Sequence, residues 1–248
     1  MLNFLKNLWN GHKKKIVSIA ILLGVLVSAF AVYVGIYYPA DDEMIERYVA
    51  SSDVKIVEKA GAILVGDENA KRGFVFYPGG KVEADAYIPL AVSLAEAGIF
   101  TVIVKMPFNL AVFGVNSANK YIRKYSRIEK WYVGGHSLGG SMAASYAKSH
   151  SHKVEGLILL GSYSATDLSA IDVSVFTAYG SEDGVLDMKK YEKNLSNLPG
   201  GYSSLVIAGG NHSGFGMYGE QRGDGARLIT TEEQISIVTE MIDGFTRR

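Results

Sequence analysis

Trp131-Tyr132-Val133-Gly134-Gly135-His136-Ser137-Leu138-Gly139-Gly140 is a short apolar run that breaks into Gly-x-Ser-x-Gly. The run before it has the β-branched and aromatic character of a strand. Ser141-Met142-Ala143-Ala144-Ser145-Tyr146-Ala147 after it reads as a helix of small residues that can lie close to a sheet. A strand that turns this sharply into a helix leaves the serine oxygen exposed at the top of the sheet, so Ser137 is the candidate nucleophile. Gly135 and Gly139 fit a turn in which strand and helix backbones approach closely.

The chain around this turn alternates strands and helices. Val54–Val57 and Ala62–Gly66 read as an antiparallel hairpin, and Lys71–Tyr77 as a third strand. A helix from about Asp85 to Ala97 follows, stopped by Gly98, and then a strand from Ile99 to Lys105. Gly156–Leu160, Ser174–Gly180 and Ser204–Ile207 are three further strands, and Thr231–Phe245 is a closing helix capped by Thr230 or Thr231. This order predicts an α/β fold with a mostly parallel central sheet and helices on both faces.

Two of the later strands end in residues that serve a serine nucleophile. A hydroxyl attacks poorly until a base takes its proton. His212, after the last strand, has the right titration range for that base, and Asp183 can hold the imidazole and stabilise its charged form. Glu182 and Asp187 compete for the acid, but Asp187 stands before Met188-Lys189-Lys190-Tyr191 and is better placed as a helix cap. Acyl transfer also develops an oxyanion, which fixed backbone N–H groups stabilise. The amide of Leu138 supplies one donor; the turn Pro78-Gly79-Gly80-Lys81 after the third strand supplies the other, Gly80 first and Lys81 second. Met106 and Phe108, in the apolar stretch Met106–Phe113, are candidate substrate contacts. Arg222 and Asp224 either touch substrate or pair with each other to order the Gly-rich loop after His212.

Taken together, Phe74–Glu83, Lys105–Ala111, Gly135–Gly140 and His212–Gly216 resemble the α/β-hydrolase fold, close to its dienelactone-hydrolase-like branch of small bacterial hydrolases. The resemblance spans about Val54 to the C-terminus and implies a triad of Ser137, Asp183 and His212 acting on a small ester or acyl substrate. It departs from dienelactone hydrolases proper, whose nucleophile is cysteine, because this chain has no cysteine. An acyltransferase with the same residues, or a binding domain without turnover, are the other functions this pattern admits.

Composition supports a large core, with 48% apolar and 11% aromatic residues in 248. The absence of cysteine excludes disulfides, thiol catalysis and cysteine-bound metal; no His or carboxylate spacing points to a metal, and no cofactor is expected. The net charge of zero hides a split. Residues 1–40 carry Lys6, Lys13, Lys14 and Lys15 and no acid, so the remainder is mildly acidic and gives no sign of nucleic-acid binding. Ile16–Tyr38 is an uncharged, mostly apolar run that as a helix spans about 34 Å, enough for a bilayer core of about 30 Å. The expected layout is a basic cytoplasmic tail (1–15), a transmembrane anchor (16–38), a linker (39–53) and a hydrolase domain (54–248). Lysines before the run and Asp41-Asp42-Glu43 after it predict an extracytoplasmic domain, with Tyr33, Tyr37 and Tyr38 at the outer interface and Trp9 near the inner one. The rival reading is a signal peptide cleaved after Ala29-Phe30-Ala31.

Overall fold

In the computed structural model, backbone is described for residues 2–248 and side chains for residues 12, 13 and 15–248. The chain divides into two units, 1–37 and 38–248.

The first unit is one helix, α1 (Leu2–Gly35). Its segment Lys15–Gly35, 21 residues, is long and apolar enough to cross a membrane, by length and composition, a test that a signal sequence also passes. Ile21, Leu22, Val25, Val27 and Val32 are each more than half exposed, which a helix buried in a soluble core would not show. The side chains of Trp9 and Lys14, used above for interface and orientation, lie outside the described residues.

The second unit starts earlier than the expected boundary at Val54. Tyr38 N–H donates to Lys81 O (2.7 Å), Glu83 N–H donates to Tyr38 O (3.0 Å), and the Tyr38 ring lies 5.8 Å from that of Tyr218. Tyr38 is thus part of the folded unit. The segment expected to be a linker holds α2 (Asp42–Val49), capped by Asp41, whose carboxylate accepts from Met44 N (3.0 Å). Ile45 is buried in the core and Tyr48 Oη bonds Ser93 Oγ (2.7 Å), so the amphipathic face of this short polar helix has a docking partner.

Eight strands form one sheet: β1 (Ile56–Lys59), β2 (Ala62–Val65), β3 (Arg72–Tyr77), β4 (Ile99–Val104), β5 (Lys130–His136), β6 (Gly156–Leu160), β7 (Ser174–Gly180) and β8 (Ser203–Ile207). Their spatial order is β1-β2-β4-β3-β5-β6-β7-β8. The β1–β2 hairpin and the β2–β4 pair are antiparallel; all other neighbours are parallel. β5, which leads into Ser137, is therefore central. Side chains alternate across the pleat. Phe74 and Phe76 enter one core with α3 (Ile88–Glu96) and α7 (Thr231–Thr246), while Val75 and Tyr77 enter the other with α5 (Leu138–Ser149).

Two local departures have evident causes. The helix expected from Asp85 splits into a 3-10 turn, Ala84–Tyr87, and α3, because Pro89 fits only the first turn of an α-helix. Between β4 and β5, where no helix is expected from the sequence, α4 (Ala118–Lys124) forms, burying Ala118 and Tyr121. Asp187 caps α6 (Met188–Asn194), accepting from Lys190 N (3.1 Å), as its position suggested. Thr230 and Glu233 form a reciprocal capping box on α7. Arg72 ties β3 to that helix through Asp243 Oδ1 (2.7 Å) and Thr246 Oγ1 (2.8 Å).

Candidate active site

The turn after β5 places Ser137 at φ 52°, ψ −124°, a conformation rare for any residue with a side chain. Such a residue costs about 1–3 kcal/mol and persists only where its surroundings fix it. Here they do. Ser137 N–H donates to Leu160 O at the end of β6 (2.9 Å), and its carbonyl accepts from Ser162 Oγ (2.6 Å). Gly139 is needed on the same turn, since a Cβ there would run into the carbonyl oxygens of Tyr77 and Pro78.

Behind the serine lies a buried acid and base. His212 Nδ1 is 2.8 Å from Asp183 Oδ2, and both side chains are 1% exposed. The other oxygen of Asp183 accepts from Val185 N (2.9 Å) and Leu186 N (2.8 Å), which holds the carboxylate in place. With Nδ1–H donating to Asp183, the lone pair falls on Nε2. That atom is buried and has no hydrogen-bond partner among the described residues, Ser137 Oγ included. Ser137 and His212 line one cavity of about 320 Å³, with Leu138, Ser141, Ser162, Tyr163, Val185, Leu186, Asp187 and Lys190 around them. Glu182 is turned away, accepting from Ser181 Oγ (2.8 Å). A hollow of about 460 Å³ lies beside Asp172 and Tyr202, near where β7 and β8 begin, whereas chemistry in such sheets gathers at the carboxyl ends of the strands.

The candidate oxyanion donors separate clearly. Lys81 N–H already donates to Asn109 O (2.7 Å), so the expectation for Lys81 is corrected: its amide is unavailable to substrate. The amides of Gly80 and Leu138 donate to no group among the described residues. The two residues are neighbours in space, because a Cβ built at Gly80 would lie 2.9 Å from Leu138 Cδ2 and 3.3 Å from its Cβ.

The expected substrate contacts are also corrected. Met106 is 6% exposed and packs into the core on the α5 face, and Phe108 is half exposed with its ring 5.7 Å from that of Phe113. Neither lines the cavity. The reason is that 107–113 folds into two 3-10 turns whose Asn109 carbonyl braces the oxyanion turn at Lys81. The cavity wall comes instead from Ser162 and Tyr163 after β6 and from Val185, Leu186, Asp187 and Lys190, of which only Asp187 stood out in the sequence, as a helix cap. Only their position after strand ends marked the others.

A second buried histidine supports the first. His136 is fully buried, and its ring centroid is 4.4 Å from that of His212. Its Nδ1 is 2.8 Å from Tyr87 Oη, which accepts the Gly79 N–H at 3.1 Å. Burial holds the Tyr87 phenol far above its ordinary range, so it stays protonated and gives its hydrogen to His136 Nδ1. Burial first, and the neighbouring His212 second, hold His136 well below the ordinary imidazole range. Sequence alone offered no reason to join Tyr87 to this turn.

A family model described as the alpha/beta hydrolase family matches residues 73–236, more than half of the chain. The chain belongs to the alpha/beta hydrolase family. Three solved hydrolase-fold structures illustrate its shape. The esterase domain of a Rhodothermus marinus protein has a TM-score of 0.59 at 12% identity, covering 79% of this chain and 99% of that one. The monoacylglycerol lipase of Paleococcus ferrophilus gives 0.59 at 13%, covering 77% and 99%. The dienelactone hydrolase of Anabaena variabilis gives 0.57 at 15%, covering 77% and 95%. At these identities the likeness shows the shared hydrolase fold. No curated protein matches the sequence at a significant level.

Proposed function

We propose that this member of the hydrolase family is a membrane-tethered serine hydrolase that cleaves small carboxylic esters through an acyl-enzyme on Ser137. The observation that carries the reading is the buried Asp183–His212 pair with Nε2 left without a partner, in the cavity that Ser137 shares. In the proposed reaction His212 Nε2 takes the Ser137 proton as Oγ attacks the ester carbonyl. The amides of Leu138 and Gly80 receive the developing oxyanion. His212 then returns the proton to the departing alcohol, and a water activated by the same nitrogen releases the acid. Asp183 keeps the imidazole in one orientation throughout. A cavity of about 320 Å³ is at the low end for small-molecule sites and favours a short acyl group against Val185 and Leu186.

The tether is part of the proposal. Lys13 and Lys15 before the apolar segment and Asp41–Glu43 after it orient the hydrolase domain away from the cytoplasm, where it meets envelope or external substrates. Protease added to intact cells should then digest the domain and leave a small membrane-held fragment; protection until lysis refutes the orientation. For the chemistry, the full chain in detergent should hydrolyse p-nitrophenyl acetate and butyrate and label at Ser137 with a fluorophosphonate. Ser137→Ala should lower turnover on the order of a millionfold. A well-folded chain that neither turns over esters nor labels sinks the reading, and transfer to added alcohols or amines in place of hydrolysis makes it an acyltransferase.

A further inference from the structure

The loop that carries His212 is held by two side chains from outside it. Gln234, fully buried on α7, accepts Asn211 N–H at Oε1 (3.0 Å) and donates from Nε2 to Asn211 O (2.9 Å). On the other side stands Asp224. Its Oδ1 accepts from His212 N (3.1 Å), from Gly184 N (3.2 Å) and from Gly225 N (2.9 Å), and its Oδ2 accepts from Ser213 N (2.8 Å).

Gly184 directly follows Asp183, so one carboxylate grips the backbone of the base and the backbone beside the acid together. An ionised carboxylate has about four acceptor sites, and four backbone amides point at this one, three at Oδ1 and one at Oδ2. That leaves little capacity for a substrate contact. Among the described residues no ion pair joins Asp224 to Arg222, whose amide instead donates to Tyr38 Oη (3.2 Å). We propose that Asp224 is a positioning residue that sets the separation and alignment of Asp183 and His212 by clamping their two loops to one carboxylate. The proposal rests on the serine-hydrolase reading above.

The split of donors between the two oxygens gives the clamp a graded test. Asp224→Asn with its carbonyl at the Oδ1 position keeps three of the four bonds but sets an amide NH2 against Ser213 N–H. Asp224→Ala loses all four. Full-length wild type and both variants would be compared in detergent, below each variant's thermal midpoint, for kcat and KM on p-nitrophenyl butyrate and for the rate of fluorophosphonate labelling at Ser137. Misplacing a base by about 1 Å is worth on the order of a hundredfold. Asp224→Ala should lose about that much in kcat and in labelling rate in parallel, with KM within threefold. Asp224→Asn should fall in between, about tenfold down.

Wild-type labelling and kcat in either folded variant overturn the clamp, as does a change confined to KM, which would make Asp224 a substrate contact. Should Asp224→Ala fail to fold, Asp224→Asn decides alone. A wild-type chain that does not label at Ser137 refutes the hydrolase reading itself, and the clamp falls with it, whereas labelling in wild type with no effect of Asp224 refutes only the clamp.

Discussion

Replacing Tyr87 by Phe removes one oxygen and little else. The ring keeps its contacts with Phe76 (4.7 Å) and Tyr218 (6.4 Å), and at 1% exposure no water reaches the vacated position. Two groups lose their partner, Gly79 N–H at 3.1 Å and His136 Nδ1 at 2.8 Å. A buried polar group left unsatisfied costs about 1–3 kcal/mol, so the pair amounts to about 4 kcal/mol. In a domain of this size each kcal/mol moves Tm by about 2–4 °C, which predicts a fall of about 8–16 °C. The catalytic effect is smaller and separate. Gly79 adjoins Gly80, and His136 packs on His212, so loosening both should lower kcat about tenfold with KM within twofold. Circular dichroism melts and ester kinetics on the full chain read both quantities. A Tm within 2 °C of wild type would refute the bonding scheme, and a lower Tm with unchanged kcat would confine Tyr87 to stability.

Ser137→Gly should raise Tm by about 2–4 °C while abolishing turnover, because glycine relieves about 1 kcal/mol of strain at φ 52°; equal melting of the Gly variant and wild type would show that the turn is unstrained. The depressed proton affinity of His136 makes folding pH-dependent. Below pH about 6.5 the unfolded chain binds a proton there that the folded chain refuses, so stability is full above that pH and falls as pH drops, by up to about 1.4 kcal/mol per unit, until the folded imidazole titrates. His136→Asn keeps an acceptor for Tyr87 and removes this titration, so urea unfolding at pH 7.5 and 5.5 should show about 1 kcal/mol less loss in the variant; equal losses would mean His136 is not the group responsible.

The strands were legible because each carried a local signal. β6 is a continuous apolar run, the pattern that a parallel strand buried on both faces needs, and β7 is apolar but for Ser174 and Thr177, so their bounds agree with the reading of the sequence. Asp187 and Thr230 announced helix starts for the same reason, since a cap is a contact within one turn. α2 lies in the stretch expected to be a linker. Its eight residues, Asp42–Val49, look polar, and only the tertiary contacts of Ile45 and Tyr48 reveal which face is bound.

The candidate site divides along the same line between local and distant causes. Ser137, Asp183 and His212 each follow a strand end, and a mostly parallel sheet brings such ends to one edge, so chain order sufficed to nominate them. Lys81 and Met106 were nominated by the same proximity and failed because sequence does not show what a backbone amide or a side chain meets. The Lys81 amide meets Asn109, 28 positions on, and Met106 turns into the α5 core. The roles of Ser162, Tyr87 and Gln234 were hidden for a related reason, and so was that of Asp224, which the sequence offered only as a substrate contact or a partner of Arg222. Each acts by bonding backbone from another part of the chain, at Ser137, Gly79, Asn211 and His212 respectively, and a bond to backbone leaves no complementary residue type to find. Candidate reacting groups of such a fold can therefore be nominated from position along the chain, whereas the groups that hold them in register become visible only when the hydrogen bonds of the surrounding loops are followed one by one.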